Sequence, residues 1–163
     1  MAAPSDSIVN ELNAQLGREL LASNQYLAMA AYLDARSLSE LAGFYYRQAE
    51  EERRHAMKFL HYLLETGATP VVPETPKPKA DFSSVEEVAS TALDREQEIT
   101  RCIHSLVDMA LQAKDHTTNH FLQWFVEEQL EEEATAGRLL DVIQQSENLW
   151  LVEQYVHRQQ SST

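Results

Sequence analysis

The chain has 163 residues with a single cysteine, and its 13 basic side chains face 26 acidic ones, for a formal charge of -13. That length suffices for one domain with a substantial core, and a lone Cys102 excludes both a disulfide framework and paired Cys-x-x-Cys metal modules. The negative balance repels phosphate backbones and anionic membranes while attracting cations, so no nucleic acid and no membrane is expected as a partner. The N-terminal MAAPSDSIVNEL has neither a basic segment nor an apolar core, and no apolar run is long enough to span a bilayer, which predicts a cytoplasmic protein.

Four glycines and five prolines punctuate the chain, and four of those prolines fall within GATPVVPETPKPKADFSS, which reads as one long connection. On either side the sequence is rich in Ala, Leu, Glu and Gln at helical spacing and lacks the alternation of strands, so the class is all-α. A first helix is predicted from Ser7 to Arg36, a second from Ser39 to Glu65, a third from Ser84 to Lys114 and a fourth from Thr117 to Gln145. Ser84 and Glu87 together spell a capping box. A fifth, shorter helix is predicted over 148–159, followed by a polar tail over 160–163. Short first and third links make two antiparallel hairpins, and the Pro-rich link can run the length of a bundle. The expectation is therefore a single domain over 1–163, a four-helix bundle over 7–145 with one long crossover and a short C-terminal helix.

Within such a bundle, residues seven apart share a line along the helix, so a polar residue in an apolar line faces the core. The first helix carries Leu12, Glu19, Tyr26 and Leu33 in one line, and the second carries Tyr45, Glu52 and Phe59. On the third, Glu96 sits among Leu93, Ile99 and Ile103; on the fourth, Glu132 lies between Phe125 and Leu139, and Gln129 between Leu122 and Ala136. Each helix thus offers one inward acid. An isolated buried carboxylate costs several kcal/mol unless neutralised, paired or metal-bound. Arg18, Arg53, Arg54 and Arg95 point away from these lines, whereas a pair of divalent cations satisfies all four acids at once. The segment EEERRHAM adds His55 at i+3 from Glu52, where both side chains reach one point. Oxygen-rich ligation with one imidazole suits iron or manganese better than zinc.

Other polar residues draw plainer readings. His61, His104 and His157 fall in no ligand-spaced pattern and read as ordinary surface or core histidines, and Asp115, His116 and His120 read as a polar turn. Met29, Met57 and Met109 read as core fillers. Glu133 reads as surface charge.

The segments LNAQLGREL with NQYLAM, EEERRHAM, REQEIT and FLQWFVEEQLEEE occur in an order and spacing that resembles bacterial non-haem ferritins over residues 8–160. The resemblance implies a ferritin-like bundle in which Glu19, Glu52 and His55 hold one iron, while Glu52, as bridge, and Glu96 hold a second. It places Gln129 beside the pair, Glu132 near the second iron and Tyr26 close by. Glu51, Glu128 and Glu131 match acids that form a third iron site, here expected to be a cluster without histidine. The implied activity is a ferroxidase that passes electrons from Fe²⁺ to O₂ or H₂O₂ and stores ferric mineral inside a hollow homo-oligomeric shell of twenty-four subunits.

The chain departs from haem-containing bacterioferritins, which carry a second Glu-x-x-His on the fourth helix and a methionine directly after the second-helix glutamate. Here those places hold Gln129-Leu-Glu-Glu132 and Arg53, so no haem is expected. The alternative reading is a di-iron peroxide scavenger of the rubrerythrin type that stores no mineral.

Overall fold

A computed structural model describes residues 4–160. Its helices are α1 (Asp6–Asp34), α2 (Ser39–Glu65), α3 (Val85–Gln112), α4 (His116–Gln145) and α5 (Leu149–Gln160), and no strand occurs among the described residues. The expected all-α class and the order of elements hold. The predicted second helix matches α2 at both ends, while the others shift by one or two residues. Gln160 belongs to α5 rather than to the tail, and 161–163 lie outside the described residues.

Three of the helices end by one device. Leu38 N–H bonds Leu33 O at 3.2 Å, Ala68 N–H bonds Leu63 O at 2.9 Å and Asp115 N–H bonds Ala110 O at 2.8 Å, each spanning a residue in the left-handed region. Gly67 fills that place after α2 at φ +80°, without steric cost. After α1 and α3 the same turn falls on Ser37 at φ 62° and Lys114 at φ 55°, which gave no warning in the sequence and explains why those helices stop short of the predicted ends. At the start of α3, Ser84 Oγ accepts from Glu87 N–H at 3.0 Å as a capping box requires, but the Glu87 carboxylate turns to Ser83 N–H at 2.6 Å instead of Ser84. Asp115 is the N-cap of α4, its Oδ1 accepting from Thr118 N–H at 3.0 Å.

The connection between α2 and α3 lies along α1, and its contacts keep step with the helix. Asn13 Oδ1 accepts from Val71 N–H at 2.7 Å; Gly17 leaves room for Pro73, whose Cγ would stand 2.4 Å from any Cβ placed there. Further on, Gln25 clasps Lys79, accepting from its N–H at 2.9 Å and donating to its carbonyl at 2.8 Å. The crossover therefore returns the chain to the end where α1 finishes, and α3 runs parallel to α2 with α4 antiparallel to α3.

Two apolar clusters fill the bundle. One gathers Leu33, Leu41, Tyr45, Val88 and Leu139 with Val152 and Val156 of α5; the other gathers Leu12, Leu16, Phe59, Ile103, Leu122 and Phe125. Docking of α5 has a polar component as well. Leu38 offers α2 no side-chain cap, and the Glu153 carboxylate supplies one by accepting from Glu40 N–H at 2.9 Å and Leu41 N–H at 2.8 Å. Met29 is a core filler as expected and Met109 packs on the second cluster, but Met57 is 39% exposed. The reason is angular: Met57 follows the inward His55 by two positions, a turn of about 200° around α2.

Candidate metal centre

Between the two apolar clusters lies a polar layer. Glu19 of α1, Glu52 and His55 of α2, Glu96 of α3, and Gln129 and Glu132 of α4 are all buried, as their heptad lines predict. One ligand atom from each of Glu19, Glu52 and His55 falls within a common 4.8 Å. His55 Nδ1 lies 3.3 Å from Glu52 Oε2, and the imidazole is held edge-on by Trp124 and Phe125, with ring centroids 5.4 and 5.9 Å away.

The carboxylates differ in how they are satisfied. Glu19 Oε1 accepts from Gln15 Nε2 at 2.7 Å, and Gln15 is fixed in turn by Arg18 Nη1 at 3.0 Å. Glu19 Oε2 and both oxygens of Glu52 have no hydrogen-bond partner among the described residues, His55 Nδ1 standing off Glu52 Oε2 at 3.3 Å. The Glu19 and Glu52 carboxyls lie against one another, so in protein alone they satisfy each other only when one keeps its proton. Burial first, and then each other's charge, raises Glu19 well above the usual carboxylate range; burial and the nearby Glu96 do the same to Glu52. Glu96 is better provided. It accepts from the Tyr26 hydroxyl and from Gln129 Nε2 at 3.1 Å, and these bonds oppose the upward push of burial. Glu132 Oε2 accepts from Gln48 Nε2 at 2.8 Å, yet burial, followed by the charges of Glu96 and Glu51, pushes it up to about 8.

A layer of buried acids with raised pKa values and orphaned oxygens is an arrangement that a divalent cation relieves, because it replaces shared protons with charge. The four arginines stay outside: Arg18 pairs with Glu11 at 2.7 Å and Arg95 with Glu98 at 3.3 Å, while Arg53 and Arg54 are exposed.

Beside this layer, Glu51 and Glu128 are half-buried and Glu131 is exposed. Glu51, Glu128 and His55 form a second group whose ligand atoms fall within 4.8 Å, with His55 Nε2 3.8 Å from Glu128 Oε1. The expectation is an acidic cluster of Glu51, Glu128 and Glu131 without histidine; the geometry instead brings Glu51 and Glu128 together with His55, whose imidazole turns one nitrogen to each group, while Glu131 is exposed beside them.

Sequence reasoning passed over Gln15, Gln48 and Trp124. Gln15 precedes its acceptor Glu19 by four residues, the spacing at which one side chain lies over the next, and that was the available signal; Gln48 reaches Glu132 on another helix, which local spacing does not reveal. His116 and His120 are exposed and belong to neither group, in keeping with a polar turn.

A family model described as a ferritin-like domain matches residues 9–146. The chain belongs to the ferritin family. Bacterial non-heme ferritin of Staphylococcus aureus is 42% identical over 130 residues, 80% of this chain and 78% of that one. The protein of the same name from Staphylococcus haemolyticus is 38% identical over 139 residues, 85% of this chain and 84% of that one. Among solved structures, a ferritin described as open-pore from the archaeon Archaeoglobus fulgidus superposes with a TM-score of 0.92 at 32% identity, covering 96% of this chain and 98% of its own. A humanized archaeal ferritin gives 0.91 at 32% identity, with 94% and 96% covered. Membership of this family supports a role in iron storage, and no helix among the described residues is long and apolar enough to cross a membrane.

Proposed function

We propose that this ferritin is a ferroxidase that oxidises Fe²⁺ at a di-iron centre and stores the ferric product as mineral. The carrying observation is the convergence of Glu19, Glu52 and His55, with three buried carboxylate oxygens that have no hydrogen-bond partner among the described residues. In this reading Glu19, Glu52 and His55 hold one Fe²⁺, Glu52 bridges to a second held with Glu96, and Glu132 stands near that second iron. Binding expels the protons that burial keeps on these acids, so the site changes protons for metal without gathering net negative charge. Gln15, Gln48 and Gln129 orient the carboxylates, and the Tyr26 hydroxyl holds Glu96.

Each Fe²⁺ gives one electron to O₂ or H₂O₂, and carboxylate oxygens favour the higher charge of Fe³⁺. Glu51 and Glu128, joined through His55, form a third and more exposed position through which iron leaves the pair, with Glu131 on its solvent side. We further propose that residues 1–163 act as one domain in a cytoplasmic homo-oligomer, a shell of twenty-four subunits, and that no haem takes part, because the exposed Arg53 offers no iron ligand.

Aerobic additions of Fe²⁺ followed by size-exclusion chromatography test the proposal. Storage predicts that iron far in excess of the pair co-elutes with a large assembly. Retention of no more than the pair, on a small species, would overturn storage and favour peroxide scavenging.

A further inference from the structure

Away from the polar layer, α2, α4 and α5 enclose a cleft of about 610 Å³. Phe44, Leu139 and Tyr155 form apolar walls, and Arg47, Arg138 and Thr135 supply polar groups. Acids outnumber bases 26 to 13 in this chain, so a concavity whose described lining has two arginines and no carboxylate runs against the composition. Among the described residues neither arginine has an ion-pair partner. Arg138 Nη2 donates to Thr135 Oγ1 at 3.4 Å, and Arg47 folds back along α2, its Nη1 3.4 Å from where a Cβ would stand at Gly43.

We propose that this cleft is an oxyanion site, in which Arg47 and Arg138, with the Thr135 hydroxyl, take a group of the phosphate class. Guanidinium is the side chain suited to this task, because its planar fork of N–H donors matches two oxygens of a tetrahedral anion. The volume lies in the range of small-molecule pockets and exceeds what a bare oxyanion fills. Free phosphate and a phosphomonoester with a flat ring share the chemistry, the second also using Phe44 and Tyr155. The inference does not rest on iron chemistry, since binding is measured on iron-free protein.

The test is calorimetric titration of the iron-free full-length protein, at low ionic strength, with inorganic phosphate and separately with phenyl phosphate. Saturable binding is expected, weakened by roughly tenfold or more in the double variant Arg47→Gln, Arg138→Gln and unchanged in Lys77→Gln, Arg101→Gln, which removes the same charge from exposed sites elsewhere. Tighter binding of phenyl phosphate assigns the apolar walls to the ligand; equal affinity assigns the site to free phosphate. Circular dichroism checks that the variants fold. Absence of saturable binding of either probe, parent-like affinity in the arginine variant, or an equal loss in the control overturns the proposal.

Discussion

Glu52 and Glu51 are neighbours in sequence and opposites in environment. Glu52 is 1% exposed, with neither oxygen hydrogen-bonded among the described residues, whereas Glu51 is half-buried and pairs loosely with Arg54 at 3.6 Å. Around the same bundle Glu132 is buried and pushed up to about 8, while Glu128, one turn before it, is raised but remains partly open to solvent. On α2 a rotation of about 100° separates the two acids, whereas on α4 the separation is mainly along the axis, about 6 Å with only about 40° of rotation. The lesson concerns binding strength. An inner acid destabilises the metal-free protein, so a cation recovers that energy on binding; an outer acid is hydrated beforehand and gains less.

The largest break in this comparison comes from Glu52→Ala. The proposed bridge disappears, and the fast phase of Fe²⁺ oxidation should fall by more than the roughly 10–100-fold typical of changes to outer-shell partners. Glu133→Ala, at a half-buried position outside both groups, should leave the rate near that of the parent. Stopped-flow absorbance on mixing Fe²⁺-loaded protein with O₂ measures both, and comparable fast phases would remove Glu52 from the centre.

Gln15→Leu and Gln48→Leu sharpen the comparison, since each deletes a donor to an inner acid while keeping an apolar core residue of similar size. Metal affinity should drop by roughly 10–100-fold. Anaerobic Fe²⁺ titration followed by calorimetry reads the change, and unaltered affinity would mean that these amides only fill space.

A third effect is pH-dependent. Glu132 has a folded value of about 8 against an ordinary 4.5, so over that interval the unfolded chain has lost a proton that the folded protein keeps. Stability of the metal-free protein therefore falls as pH rises from 4.5 to about 8 and levels above it. Glu132→Gln should make the decline shallower, and excess Mn²⁺ should oppose it by stabilising the ionised acids. Thermal melts in chelator across this range check it; a melting temperature that climbs with pH in the parent would contradict the assignment.

How far the sequence disclosed this centre depends on what each residue does. All four inner acids were found because a glutamate between Leu12 and Tyr26, or between Phe125 and Leu139, interrupts an apolar line that local spacing alone defines. Gln15 and Gln48 were missed because a glutamine near an inward line looks the same whether it faces solvent or a carboxylate, and only helix rotation decides. The sharing of His55 escaped for a related reason: its spacing to Glu52 is local, but its contact with Glu128 spans two helices. Ser37 and Lys114 adopt left-handed turns that glycine would have announced, so the ends of α1 and α3 were misplaced while that of α2, beside Gly67, was not.

The smallest expected effect concerns the outer set. Glu51 and Glu128 share His55 with the inner group, each carboxylate lying where its ligand atom comes within 4.8 Å of the imidazole, while Glu131 is exposed and outside that cluster. An iron held there has fewer buried charges to neutralise, so it binds more weakly and exchanges faster, as a position between the pair and the mineral requires. The triple change Glu51→Ala, Glu128→Ala, Glu131→Ala should therefore leave the first fast oxidation within about twofold, because surface acids contribute little to a buried site. It should alter the iron oxidised per O₂ and slow recovery between successive additions of Fe²⁺. The structure divides the three unequally: Glu131→Ala alone should have less effect than Glu128→Ala, which removes the contact to His55 Nε2 at 3.8 Å. Repeated additions with oxygen uptake recorded at each decide the matter. Parent-like stoichiometry and recovery in the triple variant would return all three to the solvated surface, and equal effects of the two single changes would detach the outer set from His55.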